Sequence, residues 1–152
     1  MKNILLVILF FSSFIFAEKS IEVDLSEQVA YAIEDGEIVF HGKISSGKKG
    51  HRTPTGSYHI LQKDKYHRSN QYPKPNGGAK MYYMLRLTNS GIAMHLGRTP
   101  KYPASHGCIR MEKGFAQEMY YWARNGINVN VYGDADSYED FQKGGVEIRY
   151  DF

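Results

Sequence analysis

The sequence holds a single cysteine in 152 residues, so no internal disulfide can form. It contains no Cys-x-x-Cys and no His-x-x-x-His pair, the spacings common in zinc sites. Neither sign of charge dominates. Nineteen Lys and Arg against 16 Asp and Glu leave +3, too mild a balance to argue for a nucleic-acid partner. Internal repeats and low-complexity tracts are absent. The length leaves no comfortable room for a second full domain. After Phe16 no apolar run is long enough to span a bilayer, and no cysteine follows the first apolar run, which excludes a lipoprotein anchor.

What is present points to a globular chain that leaves the cytoplasm. Hydrophobic residues make up 42% and charged residues 23%, a folding and not a disordered composition. Residues 1–17 read as a signal peptide: Lys2 is a positive leader, Ile4 to Phe16 is apolar apart from Ser12 and Ser13, and Ala17 offers a small cleavage residue. Residues 18–133 form the candidate catalytic domain, and residues 134–152 a polar tail with a short strand at Val146 to Tyr150. The expected location is the periplasm or cell envelope, with no membrane span once the signal is removed. A lone thiol in an oxidising compartment is a chemical liability, so Cys108 is either a small buried hydrophobe or a reactive nucleophile.

The pattern is mostly β with one packed helix. Ile21, Val23 and Leu25 alternate with Glu22 and Asp24, a half-buried strand over 20–25. Strands over 28–34 and 37–44 flank Asp35-Gly36, a tight hairpin turn. Further strands are expected over 57–62, 81–87, 92–95 and 127–132. Residues 64–80 read as a long loop, a candidate lid. The helix is placed over 112–125, with Phe115, Met119 and Trp122 on its apolar stripe and Gly126 as its stop. A β-sandwich or barrel-like sheet covered by that helix is the expected architecture.

The chemistry concentrates in Ser105-His106-Gly107-Cys108-Ile109-Arg110. A nearby histidine, a cation or a helix N-terminus lowers a thiol's pKa, and the sequence offers all three around Cys108. Gly107 permits a sharp turn that aims backbone N–H groups at a developing oxyanion. His95, at a strand end, is the candidate base. Alternatives stay open: His95 as a locally hydrogen-bonded histidine, His106 as the base, and His95, His106 and Cys108 as a three-ligand metal set.

The stretch from His95 through Gly97-Arg-Thr-Pro-Lys-Tyr-Pro-Ala104 to Ser105-His-Gly-Cys-Ile-Arg110 resembles the active-site signature of the L,D-transpeptidase catalytic domain, the YkuD domain. The resemblance covers roughly residues 20–133. The Asp35-Gly36 turn, the Ser45-Ser46-Gly47-Lys48 loop and Thr53-Pro54-Thr55-Gly56 are similar to segments that recur there. Only nine residues, Leu96 to Ala104, separate His95 from Ser105, which is similar to a short-gap exported subgroup. Arg110 stands where many members carry Asn.

The resemblance implies an L,D-transpeptidase acting on peptidoglycan stem peptides without cofactor or metal. Cys108 would attack the third-residue carbonyl of a stem tetrapeptide, expel D-alanine and hold a thioester. An amine, from a second stem or a wall-attached protein, would take the acyl group. Water as acceptor would make a carboxypeptidase, and a wall-binding module without catalysis is a third reading. His95 would be the base, its ring oriented by the Leu96 or Gly97 carbonyl. Gly107 and Cys108 N–H groups would form the oxyanion hole. His106 would shape the loop, and Ser105 would be a structural hydrogen-bond donor. Arg110 would bind a substrate carboxylate or serve as a buttress, and Tyr72 and Tyr83, with Tyr82, would line the donor groove.

Overall fold

The computed structural model describes residues 17–72, 74–100 and 102–138. The expected signal segment, apart from Ala17, and the strand expected at Val146 to Tyr150 lie outside these residues. In chain order the elements are β1 (Lys19–Asp24), β2 (Val29–Glu34), β3 (Glu37–Ser45), β4 (Gly56–His59), β5 (Gln62–Arg68), β6 (Lys80–Arg86), β7 (Ala93–Leu96), β8 (Ile109–Met111), α1 (Lys113–Trp122) and β9 (Asn128–Tyr132). The nine strands form one sheet in the order β4-β9-β1-β2-β3-β8-β7-β6-β5. None of the described helices is long and apolar enough to cross a membrane.

The alternation in β1 drives Ile21 and Val23 fully into the core, while Ala30 and Ala32 of β2 enter it beside them. Asp35 and Gly36 both take positive φ, 53° and 84°, as a two-residue hairpin turn requires, and Glu34 pairs with Glu37 across it. Helix α1 lays Phe115, Ala116 and Met119 on the sheet. The fit is close at Gly42 of β3, where a methyl group would come within 2.4–2.7 Å of three Phe115 ring carbons. Phe40 meets the edges of Phe115 and Trp122. The helix stops at Trp122, three residues before the expected end. Ala123 turns extended, and its carbonyl accepts a hydrogen bond from Lys63 Nζ.

The segment 57–62 is not one strand. Its first part, β4, pairs with β9 at one edge of the sheet, and β5 pairs with β6 at the other. Only Ile60 and Leu61 join these outermost strands. The sheet must therefore curl until its edges meet, giving a half-barrel. Ile60 N–H donates to the Ile127 carbonyl on one side and Leu61 N–H to the Arg86 carbonyl on the other, which stitches the seam.

The expected loop 64–80 is corrected likewise. Residues 62–68 are the edge strand β5, and the connection to β6 is shortened to 69–79. Hydrogen bonds from Ser69 N–H to Ala79 O and from Ala79 N–H to Tyr72 O fold this loop back on itself.

Strand β6 switches faces at Tyr83, which takes φ 55°, a costly conformation for a bulky side chain. Met81 and Met84, three residues apart, consequently share one small cluster with Ala93 and Cys108. Tyr83 and Leu85 pack toward the main core instead.

Candidate active site

Parallel strands β7 and β8 build the site. Their register pairs Met94 with Ile109, His95 with Arg110 and Leu96 with Met111. Met94, Ile109 and Met111 are fully buried in the core beneath α1. Side chains alternate along a strand, so Arg110 and His95 stand on the opposite face. Extended by one position, the register sets Cys108 opposite Ala93, whose N–H hydrogen-bonds the sulfur. Cys108, His95 and Arg110 thus share the face that forms the floor of a cleft of about 760 Å³. The loop 69–79 forms much of its wall, through Ser69, Tyr72, Lys74, Asn76 and Gly78.

His95 is buried, and its Nδ1 lies 2.8 Å from the Leu96 carbonyl oxygen. A carbonyl only accepts, so Nδ1 carries the proton and donates it. In the neutral ring that leaves Nε2 as the basic nitrogen. Burial lowers the His95 pKa to about 4. The Leu96 hydrogen bond pulls it back upward, and Arg110 and His67 push it further down. The imidazole is therefore neutral at physiological pH.

The thiol departs from the sequence expectation of a depressed pKa. Burial pushes Cys108 up, and the Ala93 N–H and the Arg110 charge offset this only in part. The other two expected influences are not positioned for it. His106 turns outward at the cleft rim, between the rings of His51 (4.9 Å) and Tyr72 (5.1 Å). Strand β8 stands between Cys108 and the start of α1. The sulfhydryl donates toward the Gly91 carbonyl at 3.6 Å.

The turn before Cys108 is held from beneath. Gly107 takes φ 115°, and a side chain there would press on Ile92. The buried Ser105 hydroxyl donates to the Cys108 carbonyl and accepts from the Gly107 N–H at 3.0 Å. The Gly107 N–H expected in an oxyanion hole is thus turned inward onto Ser105. The Cys108 N–H remains as the candidate. Thr53 was read from sequence only as part of a turn. Its hydroxyl accepts from Gly47 N–H and donates to Gly107 O, each at 2.9 Å. Beneath it, Ser46 O receives the N–H groups of Ala104 and Ser105, and buried Gln28 bonds Ser46 through both amide atoms. The Thr-Pro-Thr-Gly motif was the available signal for this scaffold, but its partner at Gly107 lies 54 residues away.

Arg110 lies along the cleft with its stem against Gly97, where a methyl group would come within 2.9 Å of it. Arg68, Lys74 and Lys80 line the same cleft, a set that sequence reading missed, and no carboxylate joins them among the described residues. Tyr72 lines the cleft as expected. Tyr83 does not. It packs on Tyr120 and Tyr121, and its hydroxyl accepts from Gln117 Nε2 at 2.9 Å. Tyr82 pairs with Tyr66 instead. Tyr83 leaves the groove through the change of face in β6, and Tyr82 through ordinary alternation with Met81, which lines the cleft. The three-ligand metal set is not assembled either. No group of three His, Cys, Asp or Glu side chains capable of holding a metal occurs among the described residues.

A family model for the L,D-transpeptidase catalytic domain (YkuD) matches residues 18–131. No curated protein sequence matches the chain. Solved structures with this fold include an L,D-transpeptidase from Stackebrandtia nassauensis. It is 26% identical, with a TM-score of 0.71, over 84% of this chain and 63% of that one. An L,D-transpeptidase from Mycobacterium smegmatis is 23% identical, with a TM-score of 0.69, over 76% and 59%. An Enterococcus faecium L,D-transpeptidase variant is 25% identical, with a TM-score of 0.65, over 76% and 50%. The chain thus spans between half and two thirds of the length of these structures.

Proposed function

Because the chain belongs to the L,D-transpeptidase catalytic domain family, we propose that it is an exported cysteine acyltransferase of the cell envelope that transfers peptidoglycan stem peptides. The observation that carries this reading is the placement of Cys108 and a neutral His95 on one face of adjacent parallel strands, in a cleft lined by Arg68, Lys74, Lys80 and Arg110. A thiol with a raised pKa needs a base at the moment of attack, and His95 Nε2 is such a base.

The thiol proton passes to His95 Nε2 as Cys108 Sγ attacks the third-residue carbonyl of a stem tetrapeptide. The oxyanion is met by the Cys108 N–H, aimed by the Gly107 turn. His95 then returns the proton to the leaving amine, and D-alanine departs, leaving a thioester on Cys108. An acceptor amine attacks next, giving up its proton to His95, and the peptide bond re-forms as the thiol is released. Arg110 presents two N–H donors suited to a substrate carboxylate. The apolar leader supports action outside the cytoplasm.

The test is intact-mass spectrometry of the purified protein with a stem tetrapeptide. An adduct equal to the peptide minus D-alanine, absent in Cys108→Ala, is the expected result. Product analysis then separates acceptors, since cross-linked dimers report transfer and free tripeptide reports hydrolysis. Full activity of Cys108→Ala would end this reading.

A further inference from the structure

The face of the β5–β6 hairpin turned toward α1 carries a second feature that the acyl-transfer chemistry does not use. Five tyrosines form a strip in two groups, the pair Tyr66 and Tyr82 and the triad Tyr83, Tyr120 and Tyr121, with edge-on ring contacts of 5.5–6.3 Å within each group and Lys65 bridging them. Three lysines stand over it. Lys63 lies 4.6 Å from the Tyr120 ring, Lys80 lies 5.6 Å from Tyr82, and Lys65 sits among Tyr66, Tyr83 and Tyr121. The strip is open to solvent: Tyr66 is 66% and Tyr121 63% exposed. The side chains of Tyr121, and then Tyr66, raise the Lys65 pKa.

Two observations set this apart from ordinary packing. Tyr83 holds a left-handed backbone inside a strand, and that strain brings two consecutive residues, Tyr82 and Tyr83, onto the strip together. The strip lies on the other face of the sheet from the cleft, and Lys80, which lines the cleft and covers Tyr82, stands between them at the start of β6.

We propose that this strip is an accessory binding surface for the glycan strand of peptidoglycan, so that the enzyme holds polymeric wall more tightly than free stem peptides. The inference rests on the acyl-transfer reading above. Flat tyrosine rings offer apolar faces to sugar C–H groups and hydroxyls to sugar oxygens. The lysines meet the carboxylates of neighbouring stems. A strand whose stem peptide occupies the cleft leaves it past Lys80 and runs along the tyrosines.

The test compares the wild type with Tyr66→Ala, Tyr121→Ala and Lys65→Gln, none of which lines the cleft. Co-sedimentation with purified sacculi, and with sacculi stripped of stems by an amidase, reports glycan binding. Intact-mass acylation by a free tetrapeptide reports the cleft alone. The expected result is a loss of sacculus binding of about fivefold to tenfold for each tyrosine variant, with part of it retained on stripped glycan, while free-tetrapeptide acylation and melting temperature stay unchanged. Unchanged sacculus binding in both tyrosine variants would overturn the proposal. So would concentration-dependent dimerisation in sedimentation analysis that Tyr121→Ala abolishes, since that would assign the strip to a second copy of the chain. Failure of free-tetrapeptide acylation in the wild type would instead defeat the acyl-transfer reading, so the two failures are distinct.

Discussion

Thr53→Val tests the scaffold under the nucleophile. Valine keeps the shape of threonine and removes one hydroxyl. That hydroxyl accepts from Gly47 N–H and donates to Gly107 O, and both glycines are buried. Each orphaned group costs about 1–3 kcal/mol, so the expected loss is about 2–6 kcal/mol. For a domain of this size that lowers the melting temperature by about 6–18 °C. Thr53→Ser restores both hydrogen bonds and loses only a methyl, at about 1 kcal/mol. The carbonyl released by valine belongs to Gly107, so the peptide that aims the Cys108 N–H loses its anchor. Acylation should slow in valine and recover in serine, beyond what the unfolded fraction explains. Thermal denaturation and intact-mass acylation well below the melting temperature read the two effects. The reasoning fails if valine melts within about 3 °C of the wild type and acylates at the same rate. It also fails if serine behaves like valine, which would assign the effect to the methyl group.

Three further outcomes are expected. His95 in the folded chain is lowered to about 4, while an unfolded histidine protonates near 6.5. Its contribution is complete above the unfolded value and is lost as pH falls toward the folded one. The wild type should therefore lose about 3 kcal/mol over that window that His95→Gln does not, and parallel melting curves against pH would contradict this. Arg110→Gln removes a charge that lowers Cys108, so the pH midpoint of iodoacetamide alkylation should move up, and an unchanged or lower midpoint would refute it. Gly42→Ala should cost about 1–3 kcal/mol through collision with Phe115, with part recovered in the double variant carrying Phe115→Leu, as chemical denaturation would read.

Much of the fold was legible because its signals are local. The alternation of Ile21, Val23 and Leu25, the Asp35-Gly36 turn and the Phe115, Met119, Trp122 stripe each act over a few residues. Strand β5 was hidden because Gln62-Lys63-Asp64-Lys65 is polar. An edge strand buries little and carries no clear apolar alternation. The break at Ile60-Leu61 was invisible because only the partners on opposite sheet edges create it. At the site, Cys108 and His95 stood out through residue type and spacing. The direction of the thiol's shift did not, because it depends on burial between Ala93, Met81 and Met84. Tyr83 was placed in the groove by resemblance, and its left-handed backbone, which no local pattern signals, turns it to the other face.

The last of the described strands to be synthesised, β9, occupies an interior slot, parallel to β1 and antiparallel to β4. An emerging chain cannot complete its sheet until residues 128–132 are free of the ribosome, for until then β1 and β4 lack the neighbour that lies between them. Assembly is therefore governed by the joining of the two ends of the chain. Until that slot is filled the sheet stays divided, and its two halves gain their shared rigidity together in a single late event.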